Sequence, residues 1–280
     1  MAVGVWFTED QQEGIALSFK IKNILVSTQT PWQKLAIYET ATCGLMLTLD
    51  DIVMTTEKDE FVYHELIAHV PLFAHPQPER VLVIGGGDGG TVREVVKHPQ
   101  ISAIDLVEID EVVVRLSQRY MPFLAHALTD PKVRLLFEDG VEFVNRTTST
   151  YDIIIIDSTD PIGPGEGLFN RAFYHTCSQR LRDGGILVAQ AESPFDRPDW
   201  VSRTFATLRQ VFPLVTAYTG VIPTYPGGIW CFALCCKEIA PTPSFDAPRY
   251  QQLQLPLRYY NRDIHHACFA LPEYVKKLIE

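Results

Sequence analysis

Four clusters of glycine and acid punctuate this sequence, each directly after a short aliphatic run. Val81-Leu82-Val83-Ile84 leads into Gly85-Gly86-Gly87-Asp88-Gly89-Gly90, and Ala103-Ile104-Asp105-Leu106-Val107 into Glu108-Ile109-Asp110. Val133-Arg134-Leu135-Leu136 is followed closely by Glu138-Asp139-Gly140, and Ile153 to Ile156 by Asp157-Ser158-Thr159-Asp160. Ligands of an open parallel sheet bind in the crevice beyond the carboxyl ends of the strands. If these runs are strands, four ends deliver carboxylates to one rim, and such a rim suits a cation. An acid at a strand end is also commonly a solvated residue or a helix N-cap, a reading that stays open for Asp110 and Glu138.

The first cluster satisfies Gly-x-Gly-x-x-Gly at Gly85, Gly87 and Gly90, with Glu108 downstream. Nicotinamide, flavin and adenosylmethionine binders share this pattern, because glycine lets backbone approach a ligand closely. A following helix N-terminus favours a pyrophosphate. Asp88 inside the turn repels phosphate instead, so a nucleoside without phosphate fits better. Glu108 is placed to accept hydrogen bonds from two ribose hydroxyls, and Asp139-Gly140 to meet an adenine edge.

The chemistry is expected at Asp157. A carboxylate leaving a hydrophobic strand is partly desolvated, which raises its pKa and makes it a proton acceptor. Asp160 adds a second anion, and Pro161-Ile162-Gly163-Pro164-Gly165 reads as a rigid loop able to cover a ligand. Close carboxylates are costly unless a cation occupies the site. His64-Glu65-Leu66-Ile67-Ala68-His69 resembles a zinc-protease helix, but histidines five apart diverge by about 140° on a helix, so no metal site is read there. His64 can still face the carboxylate rim.

These groups need elements to hold them. From Ile15 to about Thr56, alternating stretches such as Leu17-Ser18-Phe19-Lys20-Ile21 and Lys34-Leu35-Ala36-Ile37-Tyr38 predict a small antiparallel β unit. Phe61, Leu66, Ile67 and Val70 predict a helix between Asp59 and Phe73, with Pro71, Pro76 and Pro78 marking its exit. From Arg80 the chain alternates doubly buried strands with amphipathic stretches, the rhythm of a parallel sheet, and Ile186-Leu187-Val188-Ala189 supplies a fifth strand. Val211 to Lys237 predicts a closing hairpin around Pro223-Thr224-Tyr225-Pro226-Gly227-Gly228. The last forty residues read as proline-rich, then helical from Leu271.

The 280 residues are 46% hydrophobic and 21% charged, the balance of a globular protein with a sizeable core. A formal charge of -10 disfavours nucleic acids and anionic membranes as partners. Neither a secretory leader in Met1 to Asp10 nor an apolar run long enough to span a bilayer is read. Cys43, Cys177, Cys231, Cys235, Cys236 and Cys268 show no Cys-x-x-Cys spacing and are expected as buried thiols, which points to the cytoplasm. The cysteine-rich strand around Cys231 to Cys236 has no functional reading.

Taken together these segments resemble the spermidine synthase family of aminopropyltransferases over almost the whole chain. The carriers are Thr55-Thr56-Glu57-Lys58-Asp59-Glu60-Phe61-Val62-Tyr63-His64-Glu65, Gly85 to Gly90, Val107-Glu108-Ile109-Asp110 and Asp157-Ser158-Thr159-Asp160-Pro161-Ile162-Gly163-Pro164. Pro223 to Gly228 and Tyr259-Tyr260-Asn261-Arg262-Asp263-Ile264-His265 fit as well. The resemblance implies an α/β fold: a Rossmann-like, class I methyltransferase-type parallel-core sheet with helices on both faces, over residues 57–280. A small N-terminal antiparallel β domain, residues 1–56, would precede it and serve oligomerisation and active-site cover. The implied reaction transfers an aminopropyl group from decarboxylated S-adenosylmethionine to putrescine, giving spermidine and 5'-methylthioadenosine.

By the same resemblance Gln33, Gly85, Gly87, Glu108, Asp139, Gly140 and Pro164 would hold the nucleoside. Tyr63, His64, Asp88, Asp157, Ser158, Thr159, Asp160, Gln190 and Tyr225 would surround the amines, with Asp157 the proton acceptor. No metal or cofactor is called for, the adenosyl compound being a co-substrate, and a homodimer or homotetramer is expected. Three alternatives remain: another acceptor such as cadaverine, agmatine or spermidine, an S-adenosylmethionine-dependent methyltransferase, and a polyamine-binding protein without activity. A nicotinamide-dependent oxidoreductase fits less well.

Overall fold

The computed structural model describes residues 4–159, 163–237 and 244–280, with the side chains of 163, 164 and 166 left aside. The chain opens with β1 (Val5–Gln12), β2 (Ile15–Gln29), β3 (Lys34–Thr40), β4 (Leu45–Leu49) and β5 (Ile52–Thr56), an antiparallel sheet in sequential order. The sheet thus begins at Val5, ten residues before the alternation expected from Ile15. Its two faces differ. Phe7, Phe19, Met46 and Val53 form a core of the sheet's own. Leu35, Ile37, Leu47 and Leu49 instead pack on Val113, Met121 and Leu124 of the following domain, which fixes the small sheet over the larger one.

Helix α1 (Glu60–Ala74) carries buried side chains along almost its whole length. It runs through Pro71, which the sequence had marked as its exit. A proline there removes one backbone donor in the last turn, and the His75 N–H bonding the Pro71 carbonyl still closes the helix. The alternating units follow as β6 (Arg80–Gly85), α2 (Gly90–Val96), β7 (Ala103–Glu108), α3 (Glu111–Tyr120), α4 (Pro122–Ala125), β8 (Val133–Phe137), α5 (Gly140–Arg146), β9 (Tyr151–Asp157), α6 (Arg171–Arg180) and β10 (Leu181–Gln190). Then come α7 (Pro198–Arg209), the hairpin β11 (Leu214–Val221) and β12 (Ile229–Cys236), α8 (Ala247–Leu253), α9 (Arg262–Ala267) and α10 (Glu273–Ile279). Helix α8 falls in the stretch the sequence left without a helix before Leu271.

Among the described residues the second sheet has seven strands in the order β11-β12-β10-β9-β6-β7-β8. Strands β6 to β10 pair in parallel, and the hairpin adds antiparallel to β10. Alternate residues feed opposite cores. Val81, Val83, Ile153 and Ile155 join the layer of α1 and α2, whereas Leu82, Ile84, Ile154 and Ile156 join that of α5, α6 and α7. Burial on both faces explains why the strands read as unbroken aliphatic runs.

The chain runs outward from β6 through β7 to β8, then returns to place β9 on the other side of β6. The carboxyl ends of β6 and β9 therefore flank the point where strand order reverses, the preferred ligand position in such sheets. Gly85 of β6 lies directly opposite Asp157 of β9.

Candidate active site

The glycine turn and Asp157 are joined through backbone. The Gly86 N–H donates to the Asp157 carbonyl at 2.8 Å. Gly85 has φ +81°, and a Cβ there would sit 2.1 Å from that same carbonyl oxygen. Only glycine lets the turn pass this close to the end of β9. A Cβ on Gly90, at the start of α2, would lie 2.2 Å from the His64 ring, so the turn also presses the imidazole in place.

A cleft of about 940 Å³, measured out to its open mouth, lies over these strand ends. Gln33, Gly85, Gly87, Glu108, Asp139 and Gly140 line it, as do Tyr63, His64, Asp88, Asp157, Ser158, Thr159 and Tyr225. Leu47, Leu49 and Met54 of the small sheet close its far side. Asp160 lies outside the described residues, as does the side chain of Pro164. Gln190 lines a neighbouring cavity instead.

At the nucleoside end, Glu108 accepts the Gly87 N–H at 3.1 Å and the Asp110 N–H at 2.9 Å. Burial pushes its carboxyl up to about 7, against the pull of those donors. One Asp139 oxygen caps α5 through the Val141 and Glu142 N–H groups. Asp110 caps α3 and also accepts from Thr30 Oγ1 and Gln33 Nε2, so the bland reading holds for its side chain. Glu138 pairs with Arg146 and does not line the cleft.

At the other end, Asp157 is held by two hydroxyls: Tyr63 donates to Oδ1 at 2.7 Å and Thr91 to Oδ2 at 2.7 Å. Burial raises its pKa, while His64 and the two hydroxyls work the other way. The Tyr63 phenol is pushed well above its ordinary value by burial and by the Asp157 charge, so it remains a donor. His64 stands between carboxylates, 2.7 Å from Glu60 through Nδ1 and 3.5 Å from Asp88 through Nε2. His69 faces other partners, Glu94 and His98, on α2 and beyond.

A second cavity of about 600 Å³ adjoins the first, and Met54, Tyr63, Ser158, Thr159 and Tyr225 line both. Its wall carries Glu9 of β1 together with Glu192 and Asp196 after β10, beside Arg197 and Trp230. Glu192 is 3% exposed and adopts φ +71°, a strained conformation for a side chain other than glycine. The Gln190 amide donates weakly to the Ser158 and Thr159 carbonyls and accepts the Glu192 N–H. Tyr225 reaches the Met54 carbonyl at 2.6 Å, tying the hairpin loop to β5.

Sequence reasoning missed Glu9, Glu192, Asp196, Thr91 and Glu60. Glu60 carried a signal, standing four residues before His64 on one helix face. Glu9 carried none, being separated from Glu192 and Asp196 by most of the chain.

Two family models match: the spermine/spermidine synthase domain over residues 60–246 and the spermidine synthase tetramerisation domain over residues 5–57. The chain belongs to the spermine/spermidine synthase family and is a transferase. Its relatives include the polyamine aminopropyltransferase of Thermoanaerobacter sp. strain X514, 46% identical over 276 residues that cover 99% of each chain. That of Moorella thermoacetica is 46% identical over 277 residues, 99% of this chain and 97% of the relative. A crystal structure of a spermidine synthase in complex with the transition-state analogue AdoDATO superposes with a TM-score of 0.95 at 39% identity, covering 98% of this chain and 94% of the other. The spermidine synthase of Thermotoga maritima gives 0.92 at 37%, with the same coverage. The fold the resemblance implies, a small β domain ahead of a methyltransferase-like sheet, is the fold found. Among the described residues no helix is long and apolar enough to cross a membrane.

Proposed function

We propose that the protein transfers the aminopropyl group of decarboxylated S-adenosylmethionine to putrescine, releasing spermidine and 5'-methylthioadenosine. The observation that carries this reading is the pair of adjoining cavities, one lined by nucleoside-directed groups and the other by carboxylates, meeting at Tyr63, Ser158 and Thr159. A two-substrate displacement needs donor and acceptor to meet at one point in line.

The donor occupies the first cavity. Glu108 accepts the ribose hydroxyls, Gln33, Gly87, Asp139 and Gly140 surround the nucleoside, and Asp88 pairs with the ammonium of the aminopropyl arm. The diamine lies in the second cavity, one nitrogen reaching the Asp157–Tyr63 pair where the two cavities meet and the other toward Glu9 and Glu192, with Gln190 and Tyr225 completing the amine surroundings. An alkylammonium has a pKa near that of lysine, about 10.4, and cannot attack while protonated. Asp157 takes that proton, and the freed nitrogen lone pair attacks the methylene attached to sulfur. The carbon–sulfur bond breaks toward sulfur, which leaves as a neutral thioether. The reaction needs no metal, since the leaving group departs uncharged.

The exposed apolar residues Val5, Trp6, Ile15 and Ile24 lie on β1 and β2, within the segment matched as a tetramerisation domain. They suit contact between copies of the chain, and a homo-oligomer working in the cytoplasm is part of the proposal.

Methylthioadenosine release from decarboxylated and intact S-adenosylmethionine, with amines from diaminopropane to spermidine, tests the assignment. Release only from the decarboxylated donor, fastest with putrescine, is expected. A different fastest amine replaces the acceptor, and no release with any amine overturns the reading in favour of a methyltransferase or a binding protein.

A further inference from the structure

Both ring nitrogens of His64 face carboxylates, and each of those carboxylates is itself held. The imidazole is 3% exposed. Nδ1 lies 2.7 Å from Glu60 Oε2, and Nε2 lies 3.5 Å from Asp88 Oδ2. Arg93 of α2 grips Glu60 through Nη1 at 3.1 Å and Nη2 at 2.8 Å, and donates its Nε to Glu94 at 2.7 Å. Ionised carboxylates only accept hydrogen bonds, so an imidazole between two of them is satisfied when both nitrogens donate. Gly90 adds a steric limit, since a Cβ there would lie 2.2 Å from the ring.

We propose that Glu60, fixed by Arg93, is a positioning residue that keeps His64 doubly protonated, so that the His64 Nε2–H steers the Asp88 carboxylate at the donor-amine end of the cleft. The inference rests on Asp88 serving the amine as argued above. It adds a resident cation to an otherwise acidic site, balancing Asp88 and Asp157 before the ammonium substrates arrive. An unpartnered charge in a buried site is costly, whereas one held by oppositely charged groups is tolerated.

The charged and titratable groups around the ring agree in sign. Burial opposes the charge, but Asp88 from the turn and Glu60 from α1 push the His64 pKa up to about 10. Burial likewise works against the Glu60 charge, yet His64 and Arg93 hold its carboxyl below the usual range. At Asp157 of β9 burial raises the pKa, and the imidazolium works against that rise. Tyr63 meets the ring edge-on at 5.4 Å and stays un-ionised.

Nitrogen NMR of the whole protein labelled at histidine, with His64→Asn to assign the signal, reads the protonation state directly. At about pH 8 both His64 nitrogens are expected to carry protons, as against a free histidine near 6.5. A neutral His64 overturns the proposal, whether or not the amine assignment holds. In Glu60→Gln the lost anion lets His64 deprotonate within the assay range. Turnover relative to the unaltered protein is then expected to fall about ten-fold between roughly pH 6.5 and pH 8.5, while methylthioadenosine affinity stays unchanged. An equal loss at every pH marks a merely structural carboxylate and overturns the proposal. If Glu60→Gln does not fold, the NMR measurement on the unaltered protein decides.

Discussion

The Tyr63 hydroxyl lies 2.7 Å from Oδ1 of Asp157, and the two residues come from helix α1 and strand β9, 94 positions apart in the chain. This bond and its counterpart from Thr91 stabilise the ionised carboxylate in a place where burial disfavours it. Burial gives this carboxylate more affinity for a proton than an exposed aspartate has, while the two hydroxyls oppose the rise, the balance a proton acceptor needs. Asp157→Asn is expected to lower turnover at least about 10²-fold with modest loss of methylthioadenosine binding. Turnover close to that of the unaltered protein would exclude Asp157 as the proton acceptor.

Tyr63→Phe removes one donor and leaves Asp157 in place. The carboxylate loses support, its pKa rises further, and the acid limb of the activity profile moves to higher pH. Activity depends on the unprotonated base, so it falls as pH falls through this pKa. A shift of about one pH unit corresponds to roughly 1.4 kcal/mol, in the range of a hydrogen bond to a charged group. A profile of kcat against pH checks this, and an unmoved acid limb would assign Tyr63 to packing alone.

Glu108 gives a pH dependence at the nucleoside end. Its carboxyl is raised by burial to about 7 in the ligand-free protein. Ribose hydroxyls donate best to the ionised form, so methylthioadenosine binding is full above that pH and weakens as pH falls below it. The slope approaches about ten-fold per pH unit on the acid side. Glu108→Gln is expected to cost about 1.5–3 kcal/mol of binding and to flatten the pH dependence. Calorimetric titration across roughly pH 6 to 8.5 separates the two effects, and an unchanged dissociation constant would remove Glu108 from the ribose.

How much of this was legible beforehand depended on distance along the chain. The parallel sheet showed in its aliphatic runs because strands buried on both faces have no polar positions to interrupt them. Glu108, Asp139 and Asp157 were found because each stands directly after such a run, where the fold leaves a ligand crevice. The second cavity was not legible. Glu9 lies on a strand with no chemical motif, and it meets Glu192 only because the small sheet folds back over the hairpin side of the large one. Asp139 shows the limit at single residues, since its sequence position suits both the helix cap it forms and the nucleoside wall it lines. Pro71 misled because a proline near a helix end costs one hydrogen bond without always ending the helix.

The glycine turn tolerates no side chain at its first position. In Gly85→Ala the added methyl meets the Asp157 carbonyl oxygen, a backbone atom that cannot move without disturbing β9. The residue also sits at φ +81°, which is unfavourable for alanine. Loss of at least about 2 kcal/mol of stability is expected, together with loss of methylthioadenosine binding. Chemical denaturation measures the first, and a variant as stable as the unaltered protein would contradict the close approach of β6 and β9 at this point.

The hairpin loop that closes both cavities is pinned by one buried carboxylate. Asp59, just before α1, accepts the Thr224 N–H at 2.9 Å and the Thr224 hydroxyl at 2.8 Å, and also the Thr56 hydroxyl at 2.6 Å. Thr224 precedes Tyr225, which lines both cavities, so Asp59 sets the position of that wall without touching either substrate. Asp59→Ala leaves the buried Thr224 N–H unpaired at a cost of about 1–3 kcal/mol. The acceptor KM should rise about ten-fold or more, because the wall beside the diamine loses its anchor, while binding at the distant Glu108 changes little. Thr224→Val, which keeps the backbone bond and removes only the hydroxyl, should give a smaller effect in the same direction. Equal acceptor KM values in both variants and the unaltered protein would show that the loop holds its place without Asp59.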